Sequence, residues 1–222
     1  MKYFVHIEDW VAWTADSAFV IPAAHALETR SVEPILPRML RRRLNATGRA
    51  ACEAVALLDA GNNQPLIHAS RHGDVSSSLN MLQGLNAGDP VSPASFSMSV
   101  HNAVLGVYSI ASQHHGPTLA LGACGDEFAA LINEARGYLA SGHDSVIALF
   151  SEGDIPLAYQ PYTESPAHPC VIAFKLTNSS GAPLPDYPAS NPVRPTPLDI
   201  ISWLARDRTQ LTSQQNRHLE HP

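Results

Sequence analysis

The chain has 222 residues, is 45% hydrophobic, and carries 14 Lys and Arg against 20 Asp and Glu for a formal charge of −6. That length supports one domain burying roughly 70% of its unfolded surface. The acidic balance excludes a nucleic-acid-binding protein, which needs a concentrated Lys/Arg footprint. Three widely spaced cysteines, Cys52, Cys124 and Cys170, form neither a disulfide framework nor a zinc pattern, so a reducing cytoplasm is the expected location.

In chain order, residues 2–13 (KYFVHIEDWVAW) are rich in aromatic and β-branched side chains and predict an opening strand. Glu8 and Asp9 break the apolar run that a secretion signal needs, so none is expected, and no transmembrane helix is expected after it. Residues 45–60 predict a helix with Ala51, Val55 and Leu58 on one face and Gly61 as its stop. Residues 64–70 predict a short buried strand. Asp74 or Ser76 then caps a helix over 75–85, ended by Gly88 and Pro90.

Residues 102–112 predict a helix on Val104, Val107, Tyr108 and Ala111, with Gly106 expected to mark a close approach. A strand over 117–123 follows. Gly125, Asp126 and Glu127 open a helix carrying Phe128, Leu131, Ile132, Ala135 and Leu139, closed by Gly142. Residues 145–150 and 170–176 predict two buried strands around a Pro-rich loop, 155–169. Residues 177–197 read as an exposed connector, 198–206 as a last helix and the rest as a polar tail. Strands alternating with helices predict an α/β fold whose mostly parallel five-stranded sheet has helices on both faces.

No Asp, Glu, Lys or Arg occurs from residue 90 to 125. The stretch is too interrupted by Ser, Asn, His, Gly and Pro to span a membrane. It is therefore expected to leave water, in the protein core or in a subunit interface.

The order HNAVLGVYSI, then Gly116-Pro117, a strand, the small corner Ala123-Cys124-Gly125 and a long helix resembles the N-terminal half of the thiolase fold in β-ketoacyl synthases. FSMSVHNA at 96–103 and GDEFAALINEA at 125–135 resemble the short chain length factors of aryl polyene clusters. The resemblance implies a ketosynthase N-terminal-like domain over 1–176 and a connector with a C-terminal helix over 177–222. It implies a non-catalytic subunit that pairs with a full-length β-ketoacyl synthase, needs no cofactor and helps elongate polyene or fatty acyl chains on an acyl carrier protein. A ketosynthase subunit is about twice this length and takes two residues, usually histidines, from a second half. None is expected here. Against the ketosynthase pattern, Cys124 also stands one residue closer to Gly116-Pro117.

On the resemblance, Met98, Val100, His101, Asn102, Val104, Val107, Phe128 and Ile132 are candidates for the acyl tunnel and interface, with the strand at 119–123 central to a dimer contact. Arg38, Arg41, Arg42 and Arg43, with Arg49 nearby, are candidates for docking the carrier protein, or a solvated face. Cys124 is either an acyl-accepting nucleophile, as in a stand-alone cysteine-dependent acyltransferase or thioesterase, or a small buried residue at a tight corner. His68, His72 and Asp74 could join it as a base set. His101 and Asn102 either donate to a thioester or cap a helix. Adjacent His114 and His115 make a poor metal site, and none is expected.

Overall fold

The computed structural model describes residues 5–30, 33–59, 61, 63–163, 165–184 and 194–205. Residues 2–4 of the predicted first strand, connector residues 185–193, Arg206 and the tail lie outside the described residues. Strand β1 (His6–Thr14) is followed by short helices α1 (Leu27–Arg30) and α2 (Arg38–Arg41), then α3 (Ala46–Asp59) and β2 (Leu66–Ala69). Next come α4 (Val75–Ala87), α5 (Pro93–Met98), α6 (Ala103–Ser112), β3 (Thr118–Leu121) and α7 (Glu127–Ala140). The chain continues through β4 (Ser145–Glu152), β5 (Cys170–Thr177), the two-residue β6 (Ala182–Pro183) and α8 (Pro197–Ala205).

The α/β class is as expected, but the sheet has six strands in the order β3-β2-β4-β5-β1-β6 and is mixed. Strands β3, β2 and β4 run parallel, whereas β5 pairs antiparallel with both β4 and β1. The departure has a local cause. The β4–β5 connection is a loop without a crossover helix, and a parallel pairing needs such a crossover.

Residues 146–150 of β4 and 170–174 of β5 are continuous apolar runs because both of their faces are covered. Ala148, Phe150, Ile172 and Phe174 face α7 and α8, where Phe128, Leu131, Ile200 and Trp203 fill one core. Ile147, Leu149, Val171 and Ala173 face α3 and α6, where Ala51, Val55 and Tyr108 fill the other. Because α8 belongs to the first core, the segment after residue 176 packs with the segment before it.

A polar network centred on Asp59 ties the helices down. Tyr108 donates to Asp59 Oδ2 at 2.9 Å, and His114 Nδ1 lies 3.2 Å from the same oxygen. Burial and that carboxylate push the Tyr108 hydroxyl up. His114 is thus a buried strut between α6 and α3, while His115 is exposed and its backbone N–H donates to Asn63 Oδ1 at 2.6 Å. Gly116 fits here because a Cβ would stand 2.3 Å from the Asn63 carbonyl oxygen.

Candidate functional site

The three parallel strands end together, so the corners after β2 (70–74), β3 (122–126) and β4 (153–154) lie at one end of the sheet, where open α/β sheets hold ligands. Each corner opens with a polar group that the local chain organises. Asp74 caps α4 by accepting from Ser77 N–H at 3.1 Å, which decides between the two predicted caps. Asp126 caps α7 through Ala129 N–H at 2.9 Å.

Glu127, in the first turn of α7, is buried. Its Oε2 accepts from Arg71 Nε at 3.0 Å and Nη2 at 2.7 Å, and its Oε1 from the Cys124 N–H at 3.3 Å. Burial alone would raise this carboxyl, but the Arg71 fork holds it below the usual range. Glu152 at the end of β4 accepts from the Arg71 N–H and lies 2.9 Å from His72 Nδ1, whose other nitrogen contacts Thr163 of the Pro-rich loop.

Cys124 sits at the β3–α7 corner and is exposed, not buried as a corner residue was expected to be. Partial burial and the Glu127 carboxylate push its thiol up, against the pull of the Asp126 backbone. A thiolate is the nucleophilic form, and this corner disfavours it. His68, His72 and Asp74 are spent on Ser151, Glu152 and Ser77 respectively, so the described hydrogen bonds bring none of them to Cys124.

On the α3 side of the sheet a cavity of about 40 Å³ lies between the first turn of α3, the α5–α6 corner and the ends of β2 and β4. Its walls include Met98, Val100 and Val104, and its floor is His68, Ser70 and Ser151. His68 Nε2 is 2.8 Å from Ser151 Oγ, and its buried Nδ1 meets no well-aligned partner among the described residues. Burial and the neighbouring His101 lower the His68 pKa to about 4, so the ring is neutral at pH 7. The His101 ring packs against Gly73 and Gly122, and its buried Nε2 also lacks a partner among the described residues. A buried polar group left unmet costs about 1–3 kcal/mol. Two of them across one cavity mark a site that takes a hydrogen-bonding guest.

His101 also borders a groove of about 370 Å³ with Asn102, Leu105, Thr118, Leu119 and Ala120. That groove runs along the open edge of β3, which ends the sheet. Pro117 and Leu121 carbonyls accept from β2, so the alternate residues Thr118 and Ala120 turn their N–H and C=O groups outward. Asn102 stands at the start of α6 but makes no side-chain cap bond, contrary to the capping alternative.

The charge-free stretch is not core. Between residues 90 and 125 only Leu105, Val107, Tyr108 and His114 are buried, while Phe96 is 62%, Val100 46% and Ile110 70% exposed. Helices α4 and α5 contain no buried residue, and Leu82 and Leu85 of α4 are exposed. Outside its own helix, no described residue comes within 4 Å of a Cβ placed on Gly106, so the close approach expected there is not found among the described residues.

The predicted tunnel residues divide by location. Met98, Val100, His101 and Val104 line the cavity, Val107 is in the α3–α6 core, and Phe128 and Ile132 are in the α7–α8 core on the opposite face. Among the arginines, Arg41 pairs with Glu53 at 2.8 Å and Arg49 donates to the Leu44 carbonyl. Arg38, Arg42 and Arg43 are exposed around Met39, itself 76% exposed, and have no ion pair among the described residues. The Arg71–Glu127–Glu152 lock escaped sequence reasoning, since its members are 56 and 81 residues apart. Glu127 gave only a helix-dipole signal.

The model of the β-ketoacyl synthase N-terminal domain family matches residues 10–220. The chain belongs to that family. It is similar to the solved ketosynthase ApeO in complex with its chain length factor ApeC from Xenorhabdus doucetiae, at 28% identity, TM-score 0.67, and 81% of each chain covered. The ishigamide ketosynthase/chain length factor matches at 14% identity and TM-score 0.58, over 79% of this chain and 62% of that one. A β-ketoacyl synthase from Burkholderia phymatum STM815 matches at 13% identity and TM-score 0.56, over 80% and 59%. This family member therefore spans about three fifths of those two chains, which speak for the fold alone. No curated protein sequence matches the chain. Among the described residues, no helix is long and apolar enough to cross a membrane.

Proposed function

We propose that this chain is a chain-length-factor-like subunit that pairs with a separate β-ketoacyl-carrier-protein synthase in the cytoplasm and shapes the tunnel for a growing polyene or fatty acyl chain. The observation that carries the reading is a charge-free yet largely exposed stretch, residues 90–125, running from α5 through α6 to the open β3 edge, with the exposed Leu82 and Leu85 of α4 preceding it. An apolar face of that extent, ending in outward N–H and C=O groups, is what a partner subunit would cover and extend by strand pairing. The ApeO–ApeC complex, in which a ketosynthase is solved with its chain length factor, supports the same pairing.

In this reading the subunit acts sterically. Met98, Val100 and Val104 narrow the space beside the β3 groove, and Arg38, Arg42 and Arg43 around Met39 offer a basic surface to an acidic carrier protein. Cys124 carries no acyl group, because its thiol is pushed up and the Glu127 carboxylate lies beside it.

Co-expression with the ketosynthase should yield a stable heterodimer. Ala120→Pro, which removes one outward N–H from an edge where proline is tolerated, should prevent co-purification while leaving the subunit folded. A heterodimer equally stable with that substitution would sink the proposed contact. Incubation of the subunit with an acyl thioester should leave Cys124 without a covalent adduct by intact mass. An adduct there would favour the stand-alone acyltransferase or thioesterase instead.

A further inference from the structure

His101 separates two spaces: the β3 groove of about 370 Å³ on the outward face and the inner cavity of about 40 Å³. Its ring lies against Gly73 and Gly122, where a Cβ would come within 3.3 and 3.7 Å of it. The two glycines leave the ring its place. Behind it, His68 is fixed by Ser151 at 2.8 Å with its Nδ1 meeting no well-aligned partner among the described residues, and Met98, Val100 and Val104 share the lining with Arg43, Asn45, Thr47 and Asp74.

A cavity that ends in two unmet ring nitrogens does not suit a hydrocarbon terminus. A methyl end would leave both nitrogens unmet. A cavity of about 40 Å³ admits a hydroxyl-sized group and its carbon. It excludes an aromatic ring, since the cavity known to take benzene measures about 150 Å³.

We propose that His101, backed by His68, is the specificity-determining stop of the tunnel and recognises an acyl chain whose distal end carries a hydroxyl or similarly small hydrogen-bonding group. The proposal rests on the pairing described above, since the chain must reach His101 through the β3 groove. A site built around a hydrogen bond rejects an analogue lacking it more strongly than a hydrophobic pocket rejects a missing methylene.

The test uses the purified heterodimer and two carrier-protein-bound primers of equal length, one ending in methyl and one in hydroxyl. The wild type should extend the hydroxyl primer at least about tenfold faster, within the range that hydrogen-bond selection supplies. His101→Phe keeps the bulk but not the hydrogen bonds, and should bring the ratio near one. His101→Gln, which can still donate and accept, should retain most of the preference. Ring-nitrogen NMR shifts of His68 and His101 should move with the hydroxyl primer and stay with the methyl primer. An elongating heterodimer that treats the two primers alike would overturn the proposal and leave the cavity as a water site. Absence of any heterodimer would instead overturn the pairing on which it stands.

Discussion

Residues 145–152 and residues 90–125 are both almost free of charge, yet the molecule uses them in opposite ways. Every residue of β4 is buried, with helices on both faces. The other stretch contributes four buried residues and leaves Phe96, Val100 and Ile110 in solvent. The difference teaches that lack of charge marks surface destined to lose water, without saying whether the chain or a second molecule removes it. β4 has an unbroken apolar centre, residues 146–150, with a covering element for each face. The second stretch mixes apolar side chains with Ser, Asn and His, which a water-exposed face tolerates and an interior does not.

Truncating a core side chain should separate the two regions most strongly. Phe128→Ala, with the ring fully buried against Phe150 and Phe174, should cost about 3–5 kcal/mol in urea unfolding. A loss under about 1 kcal/mol would mean that α7 is not the core helix described.

Acid should come next, through the cavity floor. The His68 pKa is lowered to about 4, below its value in the unfolded chain, so the unfolded state binds the extra proton. Stability is unaffected above about pH 6.5 and should fall by about 3 kcal/mol as pH drops from there to about 4. Glu127 adds to the same trend further down, because its lowered pKa gives stability that is lost as it protonates. His68→Gln should flatten the upper part of the stability–pH curve, and an unchanged curve would remove His68 as its source.

The smallest effect on the isolated chain should come from the charge-free face. Replacing Leu82, Phe96 and Ile110 together by Ser should change stability by no more than about 0.5 kcal/mol per site. The same variant should bind the ketosynthase at least about tenfold more weakly, which light scattering or calorimetry of the pair would read. Strong destabilisation of the isolated chain would erase the contrast between the two regions.

The order of helices and strands could be read from the sequence because each element carries its own pattern. The continuous apolar runs of β4 and β5, the helical spacing from Phe128 to Leu139 and the caps Asp74 and Asp126 act within a few residues. The short elements α1, α2, α5 and β6 escaped. Helix α5 begins with the Ser92 cap and Pro93, a start signal present in the chain but too brief to show a periodic face.

Pairing and proximity were decided only in three dimensions. The antiparallel placement of β5 depends on which edge β4 leaves free, and the sixth strand is two residues long. The Arg71 lock on Glu127 and Glu152, the His68–Ser151 bond and the place of His101 between groove and cavity join residues from different strand ends. Local sequence encodes hydrophobic period and caps, which act over one or two turns. The fold alone brings distant polar groups together, and it alone decides whether a charge-free segment faces its own core or a partner.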